Sequence, residues 1–192
     1  MNQLGRIHNF GAGPATLPLE VVEECQNSLP NLNASGFGLL EISHRSETFQ
    51  KIIDSAMERL RRILSIPEDY TVLFLQGGAS LQFYMSALNL LEKGEMVDFL
   101  VTGAWSQKAM KEAMRIGDAS PRWDDSENGF TSIPKNGEYS IRDDAVYLHY
   151  TSNNTLYGTQ YHHLPESYGK PRVLDASSDI AGVPIDVSAH DL

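Results

Sequence analysis

The sequence predicts an α/β fold in which helices lie on both faces of a mainly parallel sheet, and three observations support that fold class. Short apolar stretches alternate with amphipathic helical patterns, which is the order expected when helices connect parallel strands. The chain has 192 residues, 41% hydrophobic and 21% charged, so it can bury one sizeable core. It contains no internal repeat and no low-complexity segment.

The predicted elements follow in chain order. Pro18 stands where a first helical turn begins, and residues 46–64 have one apolar and one charged face. Further helices are predicted at residues 81–91 and 103–114. Residues 124–137, rich in Asp, Asn, Gly and Pro, are predicted to form a loop or hairpin turn. Strands are predicted at four apolar runs: residues 72–75, 96–101, 145–149 and 172–174.

Charge and cysteine content narrow the possible functions. A formal net charge of −10 at pH 7, with an isoelectric point near 4.9, argues against nucleic acids and anionic membranes as partners. Cys25 is the only cysteine, so the sequence predicts neither a disulfide framework nor a metal cluster, and we interpret Cys25 as a core or near-surface packing residue and not as a nucleophile. Because the sequence shows no signal pattern and no membrane-spanning run, we expect a cytoplasmic protein.

The segment Gln76-Gly77-Gly78-Ala79-Ser80 joins a predicted strand to a predicted helix. A turn of small residues that opens a helix leaves several backbone N–H groups unpaired at the positive end of the helix dipole, where they can bind a phosphate. The turn has neither the GxGxxG spacing of dinucleotide-binding domains nor the GK[ST] ending of the nucleotide-triphosphate loop. Two alternatives remain: the glycines only permit a tight turn, or the turn belongs to a nucleotide-binding α/β domain.

Polar and aromatic residues follow the three later predicted strands. Trp105 follows the second strand, Asn154 and Thr155 follow the third, and Asp175 follows the fourth. Since ligands of open α/β sheets bind beyond the carboxyl ends of the strands, we expect these residues to converge with the glycine turn. Amides for a phosphate, an indole for a flat ring, a hydroxyl for a ring oxygen and a carboxylate for a protonated ring nitrogen together suit pyridoxal phosphate (PLP).

Six segments, in order along the chain, resemble the phosphoserine aminotransferase family, a class V group of fold-type I PLP enzymes of serine biosynthesis. They are Asn9-Phe10-Gly11-Ala12-Gly13-Pro14-Ala15, Glu41-Ile42-Ser43-His44-Arg45, Gln76-Gly77-Gly78-Ala79-Ser80-Leu81-Gln82-Phe83, Gly103-Ala104-Trp105-Ser106, His149-Tyr150-Thr151-Ser152-Asn153-Asn154-Thr155 and Asp175-Ala176-Ser177-Ser178-Asp179. Six linked segments at consistent spacing are more specific than any one of them. The resemblance implies that residues 1–192 form the large, cofactor-binding domain of such an enzyme.

The resemblance also implies which residues hold the cofactor: Gly78, Ala79, Ser80, Trp105, Thr155 and Asp175. In that assignment Trp105 stacks on the pyridine ring, Thr155 bonds the ring's 3′-oxygen and Asp175 pairs with the pyridine nitrogen. Asp175 and Trp105 are then the catalytic candidates of this chain. A carboxylate beside the ring nitrogen keeps the pyridinium protonated, and the positive ring withdraws electrons from the substrate.

On the substrate side, the resemblance implies that His44 and Arg45 bind anionic groups. The implied reaction passes the amino group of L-glutamate to 3-phosphohydroxypyruvate, which yields O-phospho-L-serine and 2-oxoglutarate. The implied assembly is a homodimer whose cofactor site is built from two chains.

The resemblance further implies a lysine that forms a Schiff base with the cofactor, a short distance after Ser177-Ser178 and Pro184-Ile185-Asp186. The lysines before Leu192 match no such position: Lys51, Lys93, Lys108, Lys111, Lys135 and Lys170. We therefore expect residues 1–192 to be incomplete at the C-terminal end, to lack the small C-terminal domain and to be inactive alone. The alternative is a non-catalytic fragment that binds PLP weakly or only assembles with a partner chain.

The cofactor candidates also have plainer interpretations. Packing at a helix start explains Trp105, because that is the commoner fate of an isolated tryptophan. Asn154 and Thr155 suit a turn, and Asp175 suits the cap of a following helix.

Four other candidates have plainer interpretations as well. His44 and Arg45 suit a solvated helix start. His162 and His163 suggest a metal pair, but no further Cys or His is placed near them in the sequence, so we interpret them as loop residues and predict no metal.

Overall fold

The computed structural model of the protein describes residues 5–11 and 13–192. Ala12, which belongs to the first of the six segments above, lies outside the described residues. The chain divides into two compact units, one that ends at Arg62 and one that runs from Ile63 to Leu192. Across the described ranges, no helix combines the length and the apolar character needed to span a bilayer.

The first unit is helical. It contains α1 (Leu19–Ser28), two short 3₁₀ helices (Leu32–Ala34 and Leu39–Glu41) and nearly all of α2 (Glu47–Leu64). Both α-helices were predicted from their apolar period, and α2 begins as an N-cap pattern requires, since the Phe49 amide donates to Ser46 Oγ at 3.2 Å. Cys25 on α1 is exposed, which rules out a core position but not the near-surface packing that was its other interpretation.

The second unit is built around a parallel sheet. Four strands form it in the order β2-β1-β3-β6, and all three pairings are parallel. The central strands β1 and β3 are almost entirely buried, which is why both read as continuous apolar runs in the sequence. The unit contains these elements: α3 (Gly78–Leu90), β1 (Met96–Val101), α4 (Ala104–Ala113), β2 (Asp118–Asp124), β3 (Ala145–Thr151), β4 (Asn153–Asn154), β5 (Thr159–Gln160), β6 (Arg172–Asp175) and 3₁₀ helices at Ser126–Asn128 and Val187–Ala189.

Each face of the sheet carries an apolar cluster. On one face, Phe83 of α3 and Ala109 of α4 pack in a cluster with Phe99 of β1. On the other, Tyr139 and other residues of connecting segments pack against Leu148 of β3. The sheet is therefore held between α3 and α4 on one side and loop residues on the other, and its parallel strands carry their carboxyl ends to one edge.

Two strand predictions differ from the structure. Residues 72–75 form no strand, because no described strand pairs with them, and the side chains of Leu73 and Phe74 are 66% and 53% exposed. In contrast, β2 was missed because Pro121 interrupts its apolar pattern. Proline is tolerated there because β2 is an edge strand of the described sheet, where one side of the backbone needs no ladder partner.

A buried ion pair links β1 to the segment before β3. Asp98 is fully buried in β1, and its Oδ1 and Oδ2 accept from Nε and the backbone N–H of Arg142, both at 2.7 Å. Arg122 Nε lies 3.8 Å from the same carboxylate. The guanidinium of Arg142 also donates to the carbonyl oxygens of Val97 and Asp118 at 3.0 and 3.1 Å. The charge of Asp98 is thus neutralised within the fold.

Candidate functional site

The glycine turn does open a helix. Gly77 precedes α3 with φ of 97°, a left-handed conformation that favours glycine, and a Cβ there would lie 2.3 Å from Leu81 Cδ2. The amides of Gly78, Ala79 and Ser80 occupy the first turn of α3, where helix geometry provides no acceptor. No acidic residue stands in that turn. The start of α3 therefore presents unpaired N–H groups and the positive end of a helix dipole.

The start of α4 is fixed by a buried asparagine. Asn154 is fully buried, donates from Nδ2 to Thr102 Oγ1 at 3.0 Å and accepts from the Trp105 amide at 3.3 Å. A Cβ on Gly103 would lie 2.4 Å from Asn154 Cγ, so glycine is needed for this approach. Asn154 thus ties the segment after β3 to the start of α4 through long-range contacts that its turn interpretation did not predict.

Trp105 and Thr155, both predicted to contact the ring of a cofactor, contact each other. The indole Nε1 of Trp105 donates to Thr155 Oγ1 at 2.9 Å, and both side chains are half-buried. Because the Thr155 hydroxyl is the acceptor in this bond, its own O–H proton remains available to an acceptor on a ligand. The bond orients the indole and leaves part of its surface accessible.

Asp175 ends β6 and is 9% exposed. Its Oδ1 accepts from the amide and the hydroxyl of Ser177 at 3.1 and 2.6 Å, and its Oδ2 accepts from Thr151 Oγ1 at 3.3 Å. Turns rather than a helix follow it, so Asp175 closes a local turn but caps no helix. Within residues 5–11 and 13–192, no lysine, arginine or histidine forms an ion pair with this carboxylate. A buried carboxylate that only neutral donors satisfy is suited to a cationic ligand.

Two residues near this site were assigned no role at the site from the sequence. His149 of β3 is 3% exposed, its ring lies 4.7 Å from that of Phe99, and its Nδ1 has no hydrogen-bond partner in the described chain. Burial lowers the pKa of His149 to about 4, although the charge of Asp175 acts in the opposite direction. The signal available in the sequence was a histidine inside an apolar strand.

The second missed residue is Lys108 of α4. Its Nζ donates to Ser80 Oγ at 2.5 Å and lies 5.9 Å from the centroid of the Trp105 ring. Lys108 lies three positions after Trp105 on the same helix, a spacing that places both on one face. Contacts therefore connect the start of α3 to Thr155, by way of Lys108 and Trp105.

The remaining candidates belong to other segments of the chain. His44 and Arg45 belong to the first unit, directly before α2, and both are exposed. The Arg45 amide donates to Ser43 Oγ at 3.2 Å, which agrees with a helix-start role and leaves the guanidinium open to an anion. His162 and His163 are exposed loop residues. In the part of the chain that the structure describes, no three His, Cys, Asp or Glu residues are grouped so as to hold a metal ion.

Comparison with known proteins agrees with this geometry. The family profile described as aminotransferase class-V matches residues 7–192. Among curated relatives, a phosphoserine aminotransferase of Desulfotalea psychrophila is 45% identical over 187 residues, which are 97% of this chain and 52% of that protein. The chain thus spans about half the length of such relatives.

Solved structures give the same result. A phosphoserine aminotransferase from Bacillus circulans subsp. alkalophilus superposes with a TM-score of 0.91 at 39% identity, over 96% of this chain and 51% of that one. A PLP-bound phosphoserine aminotransferase from Trichomonas vaginalis superposes with a TM-score of 0.88 at 32% identity, over 96% and 52% of the two chains. Since the class-V profile covers nearly the whole sequence, this chain belongs to the class-V aminotransferase family.

Proposed function

We propose that this chain is the large, cofactor-binding part of a phosphoserine aminotransferase and that its strand-end site binds PLP. The observation that carries the proposal is Asp175, a buried carboxylate at the carboxyl end of a parallel strand, to which only neutral groups among the described residues donate. A protonated pyridine nitrogen is the kind of cation that such a carboxylate suits.

The other groups of the site fit the rest of the cofactor. The unpaired amides of Ala79 and Ser80 suit a phosphate, the accessible face of Trp105 suits a flat ring, and the free proton of the Thr155 hydroxyl suits a ring oxygen. When bound, PLP supplies an electron-withdrawing ring that stabilises negative charge at the substrate Cα. This chain's part is to hold the phosphate, to orient the ring and, through Asp175, to keep a proton on the ring nitrogen.

The proposed substrates are L-glutamate and 3-phosphohydroxypyruvate, with O-phospho-L-serine and 2-oxoglutarate as products. Both substrates are anions. The exposed Arg45 has a planar guanidinium, which can bind a carboxylate or phosphate through two hydrogen bonds. His44 beside it is the proposed second contact to an anionic group. The names and the identities of the relatives support this choice of reaction.

The proposal extends to assembly and location. We propose that the whole enzyme is a cytoplasmic homodimer, and large apolar side chains that stay exposed, such as Ile63 at 62% and Leu73 at 66%, support the dimer. Light scattering of an active preparation is expected to report twice the mass of one chain. A monomeric active enzyme would contradict this part of the proposal.

The test is a chimera in which residues 1–192 replace the matching half of the Desulfotalea psychrophila relative. We expect the chimera to form O-phospho-L-serine from L-glutamate and 3-phosphohydroxypyruvate, and residues 1–192 alone to form none, because the resemblance places the Schiff-base lysine at none of the six lysines of this chain. Arg45→Ala in the chimera is expected to raise the KM for one of the two substrates, with Arg59→Ala of α2 as the control.

Two results would overturn the proposal. One is a folded chimera that binds PLP but transfers no amino group between these substrates. The other is measurable product from residues 1–192 alone, which would show that our placement of the missing lysine is wrong.

A further inference from the structure

Lys108 contacts both halves of the proposed cofactor site. Its Nζ donates to the hydroxyl of Ser80 in the first turn of α3, at 2.5 Å, although the two residues are 28 positions apart. The same ammonium lies 5.9 Å from the centroid of the Trp105 ring, within the range of a cation–π contact. One charged group thus connects the turn proposed for the phosphate with the ring proposed for stacking.

Positive charge exceeds negative charge where Lys108 meets the start of α3. The start of a helix carries partial positive charge and disfavours a cation, yet Lys108 brings an ammonium to the first turn of α3. That turn contains no acidic residue, and no described carboxylate forms an ion pair with Lys108. The shortage is local, because the chain has 25 Asp and Glu residues against 15 Lys and Arg. Two sources of positive charge therefore meet, and no carboxylate of the described residues pairs with the ammonium.

We propose that Lys108 is a phosphate-binding residue: its ammonium supplies a charged donor to the phosphate that the amides of Ala79 and Ser80 hold. This inference rests on the proposed function and adds a residue to that site. A charge-assisted hydrogen bond is about twice as strong as a neutral one. Lys108 therefore makes the site selective for the phosphorylated form of the cofactor over the form without phosphate. The Ser80 hydroxyl positions the ammonium, and Trp105 restricts its movement.

The experiment uses the chimera and compares its binding of two ligands that differ at the phosphate group. Pyridoxamine 5′-phosphate and pyridoxamine carry no aldehyde, so neither reacts with a lysine, and binding alone is measured by titration of tryptophan fluorescence. We expect Lys108→Met to weaken binding of pyridoxamine 5′-phosphate by about tenfold or more, the size of one charged hydrogen bond, and to leave binding of pyridoxamine unchanged.

Two further variants separate charge from structure. Lys108→Arg keeps the positive charge and is expected to restore most of the selectivity. Lys111→Met, on the same helix and without a contact to Ser80, is the matched control and is expected to bind both ligands as the unaltered protein does. Raising the salt concentration is expected to weaken binding of the phosphorylated ligand in the unaltered protein more than in Lys108→Met.

The outcomes distinguish this inference from the proposed function. If Lys108→Met loses affinity for both ligands equally, or for neither, Lys108 does not bind the phosphate and this inference is overturned while the proposed cofactor site stands. If the unaltered protein binds neither ligand, the proposed cofactor site is wrong and the role of Lys108 falls with it.

Discussion

Two aspartates of the parallel sheet are buried, and their surroundings differ. Asp98 in β1 is 0% exposed and Asp175 at the end of β6 is 9% exposed. Asp98 accepts from both the side chain and the backbone of Arg142 at 2.7 Å, with a second arginine 3.8 Å away. Within the described chain, Asp175 accepts only from hydroxyls and one amide.

The difference shows why burial alone does not identify a functional charge. A buried charge is costly unless a partner compensates it, and for Asp98 the partner belongs to the fold. Asp175 is satisfied as a hydrogen-bond acceptor, but its net charge is not neutralised by any described cation. Since it also stands at the edge where parallel strands end, its compensating charge is expected to come from a ligand.

The largest expected effect concerns Asp98. Asp98→Ala removes a fully buried carboxylate and leaves the partly buried guanidinium of Arg142 with the exposed Asp118 as its remaining ion-pair partner, so we expect the free energy of unfolding to fall by about 3–5 kcal/mol. Urea denaturation followed by circular dichroism measures it. Asp118→Ala is the matched control, because Asp118 Oδ2 lies 3.4 Å from the same guanidinium but its side chain is 56% exposed. That variant is expected to cost less than about 1 kcal/mol. If Asp98→Ala and Asp118→Ala lowered the free energy of unfolding equally, the buried ion pair would contribute no more to stability than the exposed one.

Asp175 is expected to behave in the opposite way. Asp175→Asn keeps the shape of the side chain and its acceptor oxygen, so stability changes little. In the chimera, turnover is expected to fall by roughly 10²-fold or more, because an amide cannot stabilise the proton on the ring nitrogen in the transition state. Steady-state kcat and the unfolding midpoint are measured on the same preparations.

A second buried aspartate controls this result. Asp179 is 8% exposed and accepts from Ser152 Oγ at 2.6 Å. Asp179→Asn is expected to leave turnover within a few-fold of the unaltered chimera, by about the effect of one neutral hydrogen bond. An Asp175→Asn variant with unchanged kcat would reduce Asp175 to the turn-forming role that its bonds to Ser177 already explain.

The sequence predicted the position of Asp175 at the site but gave no indication of the ion pair of Asp98. Asp175 and Trp105 were predicted because local patterns determine where a strand ends, and parallel strands end at one edge. Asp98 attracted no attention, since its partner Arg142 is 44 residues away and nothing local connects them. The pairing of Lys108 with Ser80 escaped for the same reason, because it depends on how closely α3 approaches α4.

Strand pairing was equally hard to predict. Residues 72–75 have the apolar run of a buried strand, but a strand exists only when a neighbour pairs with it, and no described strand does. In β2 the pairing overrides an unfavourable local sequence, since its ladder with β1 forms despite Pro121 and a register shift between Phe99 and Leu100. Periodicity reports which side chains can be buried and does not report which backbones meet.

The last expected effect depends on pH and concerns His149, which shares the interior with Asp175. Burial lowers its pKa from 6.5 to about 4, against the opposing charge of Asp175. The unfolded chain therefore takes up the proton first as pH falls. The contribution of neutral His149 to the free energy of unfolding is fully present above about pH 6.5 and is lost as pH falls toward 4, by at most about 1.4 kcal/mol per pH unit.

His149→Phe keeps an aromatic ring against Phe99, and we expect the stability of this variant to fall less steeply over that range. Burial also lowers the pKa of His190, which both proteins retain, so the difference between the two pH profiles isolates His149. The exposed His162, changed to Gln, is the control and is expected to leave the profile as it is. If the stability of His149→Phe and of the unaltered protein changed with pH in the same way, His149 would accept a proton as readily in the folded state as in the unfolded one. The protonated His149 would then be a cationic partner for Asp175.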